Sequence, residues 1–269
     1  MSPQPPTGAP QARPPGPLHE RVLGLLGEAI VHGDHPPGTV LRIEELEARY
    51  GVSRTVVREA VKVLESMALV ASRRRVGVTV QPMDRWNVYD PRVIRWRLAG
   101  PERLAQLTSI SQLRRAVEPL AARLAAGRAT ADQVRELSAA AGGMAHTARV
   151  PDLLEYLQHD IVFHTTLLAA SGNEMMAALA PVVGEVLAGR THHDLMPATP
   201  EPLAVALHAA VATAVASGDE DRAESAMRAI VDEAQQAVAE IAAAEGAVAE
   251  GSPAGSAVAE GVPAEGAAG

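Results

Sequence analysis

The chain has no cysteine, and its 269 residues include only one phenylalanine, three tyrosines and two tryptophans. Without cysteine there can be no structural disulfide and no thiol chemistry, a composition that suits the cytoplasm. With so few aromatics, a core drawn from 47% hydrophobic residues must consist mostly of Ala, Leu and Val, which favours closely packed helices over stacked sheets. No apolar run reaches the roughly 18 residues a membrane helix needs. The opening MSPQPPTGAPQARPPGP also lacks the apolar centre of a signal peptide, so a soluble protein with no membrane partner is expected. Basic charge is short as well. Lys and Arg number 24 against 32 Asp and Glu, a formal net charge of -8, so a surface that meets a polyanion has to be local.

Both ends are of low complexity. Residues 1–17 are proline-rich and residues 245–269 are built from Gly, Ala, Glu, Ser, Pro and Val, and both are expected to be disordered tails. The remainder is longer than one small module needs. It divides into residues 18–82, a linker at 83–100, and a helical region at 101–244.

The most informative stretch is GVSRTVVREA at 51–60. Gly51 can adopt the positive φ that ends one helix sharply before the next. Ser53 is placed to cap a helix over 54–66 through its hydroxyl. Val56, Val57, Ala60, Val61 and Leu64 recur at helical spacing and form the stripe to be buried. Arg54, Arg58 and Lys62, four residues apart, form a cationic line on the other side. Alone, that line also fits a solvated basic face. Its surroundings favour the second helix of a helix-turn-helix, which leads with its N-terminal end into the major groove, where arginine can bridge guanine O6 and N7. Upstream are a helical pattern over Leu18–His32, a turn at 33–38 and a short helix over Ile43–Tyr50; downstream, LVASRRRVGVTV at 69–80 alternates as a two-stranded wing with its tip near Gly77. Residues 53–80 hold six basic side chains (Arg54, Arg58, Lys62, Arg73, Arg74, Arg75) against Glu59 and Glu65, the local footprint that double-stranded DNA requires.

These segments, with PPGTVL at 36–41 and the continuation to VKVLESMALV, resemble the N-terminal winged helix-turn-helix of GntR-type transcription regulators over residues 18–82. The resemblance implies that Arg54 and Arg58 reach bases or nearby phosphates, that Thr55 touches the DNA backbone, and that the wing around Gly77 approaches a minor groove; Arg73, Arg74 and Arg75 are expected on phosphate. Members commonly carry glycine where this chain has Ala68.

The stretch QPMDRWNVYDPRVIRWRLAG at 81–100, which contains the linker, holds both tryptophans, Trp86 and Trp96, expected as packing anchors between the two parts. Beyond it, helical periodicity covers 101–126, 131–145, 151–170, 174–190, 202–217 and 219–244, with breaks read at Gly127, Gly142-Gly143, Ser171-Gly172-Asn173 and Gly218. The fold expected is therefore mainly α, a winged helix-turn-helix followed by an all-helical bundle. LRRAVEPLAARLAA at 113–126, DIVFHTTLLAASGN at 160–173 and His208, eleven residues before Asp219, resemble the C-terminal ligand-binding domain of the FadR-type subfamily.

Asp160 and His164 lie one turn apart on a helix and can share a divalent ion, although such pairs also arise as plain surface contacts. The resemblance implies that Asp160, His164 and His208 bind Zn, Ni or a similar ion, and that a fourth histidine is absent because Ile230 stands in its place. Three ligands leave a position open for water or a ligand carboxylate. His192 and His193, in an expected loop, are the other histidines that could substitute, and Asn173 is expected as a local cap. Arg114 is open to two readings, an intrahelical pair with Glu118 or an anion clamp in the effector pocket. The linker text WNVYDPRVIRW resembles the branch that responds to sugar acids, the galactonate-type repressors. The expectation is a homodimeric repressor, not an enzyme, that reads an inverted repeat and is released by a small carboxylate. The alternatives are a constitutive architectural DNA binder and a metal-dependent enzyme, the latter disfavoured because no well-placed general base follows from the sequence.

Overall fold

A computed structural model describes residues 18–150, 152–192 and 200–251. The expected tail at 1–17, the last 18 residues of the C-terminal tail (252–269), and His193 lie outside the described residues. The N-terminal part contains α1 (Leu18–Val31), β1 (Val40–Leu41), α2 (Ile43–Tyr50), α3 (Arg54–Ser66), β2 (Val70–Arg73) and β3 (Gly77–Val80). Gly51 takes φ 64 and ψ 37, and its amide bonds to Glu47 O, so α2 ends in the left-handed turn that the glycine permits. The stripe on α3 is buried as its spacing requires: Val57, Ala60 and Leu64 are fully enclosed with Val22, Leu26 and Ile30 of α1 and Leu46 of α2. Each large aliphatic side chain removed from water in this way is worth about 1.5–3 kcal/mol.

Two local expectations are corrected, and Ala68 is placed in its turn. Ser53 occupies the N-cap position, but its hydroxyl makes no capping bond; only its carbonyl accepts, from Val57 N at 3.2 Å. The wing is part of a three-stranded antiparallel sheet in the order β1-β3-β2, because Val40 and Leu41 pair with Thr79 and Val78. Ala68 adopts φ 56, and Leu69 N bonds to Leu64 O across the helix end, so an alanine performs the left-handed turn that glycine makes without strain.

The linker is more ordered than its composition suggested. After a 3-10 turn at Met83–Arg85 comes α4 (Pro91–Ala99), capped by Asp90, whose side chain accepts from Arg92 N. It was not legible as a helix because its apolar residues divide between two cores. Val93 and Trp96 enter the N-terminal core, while Ile94 and Leu98 join Leu107, Ile110, Val182 and Val186. Trp96 also lies where a Cβ on Gly27 would be, 2.4 Å from its ring, so α1 can dock on α4 only through a glycine. Trp86, half-buried against the same N-terminal core, donates from Nε1 to Gln81 O.

The rest is helical: α5 (Arg103–Arg128), α6 (Ala131–Thr147), α7 (Leu153–Ala170), α8 (Glu174–Ala177), α9 (Ala180–His192), α10 (Pro202–Ser217) and α11 (Glu220–Gly251). The main cluster contains Ala122, Ala125, Leu137, Met144, Phe163, Leu167, Val211, Ala214, Met227 and Val231, the small-residue helical core that scarce aromatics demand. Gly127 and Gly142-Gly143 break no helix. Gly143 is the close approach for His159, whose ring would stand 2.4 Å from an added Cβ. The expected helix at 174–190 is two helices, since Pro181, at the start of α9, cannot donate the bond that would continue α8. Asn173 caps α8 through its side-chain oxygen. The last helix runs to Gly251, beyond the expected end at 244, along a stretch rich in the helix formers Ala and Glu.

Candidate nucleic-acid interface and metal centre

Two sites emerge, one on the surface of the N-terminal part and one buried among the helices. Arg54, Thr55, Arg58 and Lys62 are all exposed along α3. Arg54, Arg58, Lys62, Arg73, Arg74, Arg75 and Gly77 together line one groove between α3 and the wing. Glu65 holds the two sides in register by accepting from Ser72 N at 2.7 Å. The turn of the wing falls at residues 74–76, one residue before Gly77, and Arg75 carries its left-handed φ of 68. Arg54 Nη1 donates to Glu44 Oε1 at 2.8 Å, and Lys62 Nζ to Glu59 Oε1 at 2.8 Å, both pairs fully in solvent contact. Exposed pairs of this kind are weak, so a phosphate or guanine can take the arginine over. Arg58 has no ion pair among the described residues and projects with both groove walls around it.

In the helical part, α7 supplies Asp160 and His164 and α10 supplies His208; all three are buried, at 6%, 1% and 3% exposure. Asp160 Oδ1 lies 3.2 Å from His164 Nε2 and 3.3 Å from His208 Nε2, and the two imidazole nitrogens are 3.4 Å apart. Neither contact to Asp160 has the direction of a hydrogen bond, so Oδ1 is a buried oxygen without a hydrogen-bond partner. The ring orientations explain this. His208 Nδ1 is 2.6 Å from Ala204 O, and His164 Nδ1 is 2.9 Å from Glu118 Oε2. Nδ1 of each ring is turned to these outer oxygens, which leaves both Nε2 atoms toward the carboxylate oxygen, the orientation from which each can offer a lone pair to a cation. A divalent cation among these three atoms would satisfy the buried carboxylate oxygen and both ring nitrogens at once. The three donor atoms stand close enough together for one divalent ion to bind all of them. The donor set and the outer bonds to Glu118 and Ala204 O fit a zinc-like ion.

Glu118 on α5 connects this centre to Arg114. Arg114 Nε donates to Glu118 Oε1 at 2.7 Å and Nη2 to Oε2 at 3.3 Å, with both side chains buried. Burial alone would raise the Glu118 pKa, but Arg114 and His164 outweigh it and bring the carboxyl down to about 2. Burial opposes charge on Asp160 too, and the two imidazoles beside it hold it well below the ordinary carboxylate range. For His164, burial is outweighed by Glu118 and Asp160, which raise its pKa. Arg114 thus makes the intrahelical Glu118 pair, and it also borders the cavity. The cavity, of about 60 Å³, is lined by Arg114, Asp160, His164 and His208 with Tyr156, Leu187, Ile230, Glu201 and Glu233. The chain's sole phenylalanine, Phe163, meets both histidine rings edge-on, with centroids 5.7 and 5.0 Å away, and fixes their planes. His192 ends α9 rather than lying in a loop.

The bridging Glu118 and the packing role of Phe163 were not foreseen from sequence. Glu118 had a signal, its spacing from Arg114. Its bond to His164 needs α5 set against α7, which no local pattern reveals.

A winged helix-turn-helix with a basic groove, joined to a helical bundle holding a buried polar centre, defines a DNA-binding transcription regulator. Residues 18–80 match the bacterial regulatory proteins of the gntR family, and residues 109–233 match the FCD domain. The chain is 31% identical over 180 residues to the HTH-type transcriptional regulator Rv0494 of Mycobacterium tuberculosis, covering 65% of this chain and 70% of that one. It is 28% identical over 224 residues to the galactonate operon transcriptional repressor of Escherichia coli, covering 82% of this chain and 97% of that one. Its fold is similar to that of Lar of Listeria monocytogenes, with a TM-score of 0.53 and 18% identity over 85% of this chain and all of that one. The protein belongs to the GntR family of transcription regulators, in the FadR-type group with a C-terminal FCD domain, and is not an enzyme. No helix among the described residues is long and apolar enough to cross a membrane.

Proposed function

We propose that the protein is a cytoplasmic, homodimeric repressor that binds an inverted-repeat operator and is released when a small carboxylate binds beside a divalent ion held by Asp160, His164 and His208. The observation that carries this reading is the buried triangle of 3.2, 3.3 and 3.4 Å between one carboxylate oxygen and two imidazole nitrogens, on the wall of a cavity. Such an ion supplies a Lewis-acidic anchor for a carboxylate or hydroxyl group. Arg114 adds positive charge at the same wall. The name of the galactonate repressor of Escherichia coli supports a sugar acid as effector. Arg54 and Arg58 would read bases, Thr55 and Lys62 would contact the DNA backbone, and the wing residues Arg73, Arg74, Arg75 and Gly77 would follow the adjoining groove. Two-fold symmetry would double the few base contacts that one winged module makes.

A continuous packed route supports the coupling. Leu187 on α9 lines the cavity. On the same helix, Val182 and Val186 pack against Ile94 and Leu98 of α4, and Glu185 pairs with Arg95. Gly189 completes the contact, since a Cβ there would fall 2.6 Å from Leu98 Cδ1. The other side of α4 enters the N-terminal core through Val93 and Trp96. An effector that prefers one position of α9 can thereby bias the recognition helices. The test is a thermal-shift screen of sugar acids and related carboxylates with and without divalent ion, followed by titration of an operator selected from random duplexes. Release of operator by a stabilising carboxylate supports the reading. Stabilising ligands that leave operator affinity unchanged refute it and favour a constitutive DNA binder.

A further inference from the structure

The three-atom centre is incomplete as a coordination sphere. Tetrahedral sites of this type take four ligands. Asp160, His164 and His208 all line the cavity, so the fourth vertex faces that cavity, where the wall contributed by α11 carries two very different side chains. Ile230 is buried and offers no donor atom. Glu233 lies three residues further on, on the same face of the helix, with its Cβ about 5–6 Å away. It is half-buried, lines the cavity and makes no ion pair or hydrogen bond among the described residues. Its neighbour Asp232 points elsewhere and is engaged with Arg115 Nε at 2.5 Å. An unengaged carboxylate beside an unpartnered, buried Asp160 Oδ1 leaves two negative groups facing one small space.

From this arrangement we infer that Glu233 is the fourth protein ligand of the ion in the effector-free protein, its carboxylate swinging across one helical turn to occupy the vertex that Ile230 cannot fill and giving way there to the carboxylate of a bound effector. The inference rests on the reading that Asp160, His164 and His208 hold a divalent ion. Glu233 lies outside the converging triangle in this structure, and rotation about its side-chain bonds brings it in. The resulting set is two imidazoles and two carboxylates, a neutral sphere around a divalent cation, in a chain whose Arg114 is already balanced by Glu118. The other cavity glutamate, Glu201, precedes α10 and stands seven residues before His208. Two helical turns separate them, about 10 Å along the axis, and Glu201 is exposed, so it is left outside the coordination set.

The test is Zn(II) affinity, by competition with a chromophoric chelator, and the d–d absorption of Co(II) bound to the full chain after chelator treatment. Wild type, Glu233→Gln, Glu201→Gln, Asp160→Ala and the double variant Ile230→His/Glu233→Gln are compared, with metal-free thermal unfolding as the folding control. The inference predicts that Glu233→Gln weakens Zn(II) at least tenfold and alters the Co(II) spectrum, that Glu201→Gln changes neither, and that Ile230→His restores tight binding to Glu233→Gln. If Glu233→Gln matches wild type in both readouts while Asp160→Ala loses the ion, the metal centre stands and the role of Glu233 is overturned. Equal losses in Glu233→Gln and Glu201→Gln would reduce the effect to cavity charge and also overturn it. A wild-type chain that binds no ion would bring down the metal reading itself.

Discussion

Two arginine–glutamate pairs in this molecule have nearly the same length and opposite consequences. Arg54 and Glu44 meet at 2.8 Å beside the basic groove, with side-chain exposures of 58% and 65%. Arg114 and Glu118 meet at 2.7 Å beneath the helical cavity, with exposures of 3% and 1%. Water and salt screen the first, so it is a contact that a nucleic acid can take apart. The second is enclosed, and Glu118 also stands 2.9 Å from Nδ1 of His164. Removing either partner would strand a charge in a dry site. The surface of the N-terminal part is arranged for exchange of partners, while the interior of the helical part is arranged to hold a fixed geometry.

The largest expected effect follows from the enclosed pair. Glu118→Ala leaves Arg114 charged and His164 Nδ1 without its acceptor, and should cost about 3–5 kcal/mol in urea unfolding followed by circular dichroism. Glu44→Ala, in the same assay, should leave the midpoint unchanged. Equal shifts for the two variants would erase the distinction between them.

Next in size is DNA discrimination. Arg58→Ala should lose about 1–3 kcal/mol of preference for the selected operator over a scrambled duplex. Arg74→Ala should weaken both duplexes alike and lower the salt slope by about 1. A uniform loss for Arg58→Ala, measured by fluorescence anisotropy over a salt series, would move that residue to the phosphate backbone.

Ala68 offers a smaller effect of opposite sign. Its φ of 56 is unfavourable for an L-residue, so Ala68→Gly should stabilise the chain by about 0.5–1 kcal/mol. A lower unfolding midpoint would mean that the methyl group makes contacts worth more than the strain. The smallest effect expected is for Glu44→Gln, which should raise affinity for operator and scrambled DNA alike by a few-fold, because it removes a negative charge facing phosphate. No change in either would show that Glu44 is remote from the bound duplex.

What could be read from the sequence follows the same division. The recognition helix appears at 54–66 as its pattern indicates, because a terminating glycine and a one-sided apolar stripe are local properties. Asp160, His164 and His208 converge as the resemblance implied, although His208 comes from another helix. The linker helix α4 is not legible in the sequence because it serves two cores and therefore shows no single apolar face. Gly142 and Gly143 looked like a break because the close approach of the His159 ring to Gly143 arises only when α6 meets α7. Glu118 and Glu233 carry no sequence signature for a site, since their relevance depends on which helices the bundle brings together.

X-ray absorption at the zinc edge, on the full chain loaded with one equivalent of Zn(II), tests the central claim most directly. The account predicts one tightly held zinc per chain with two imidazoles and oxygen ligands at about 2.0–2.1 Å, and loss of the imidazole signature in a variant carrying His164→Ala and His208→Ala. A zinc shell without imidazole in the wild-type chain, or one unaltered in that variant, would contradict it.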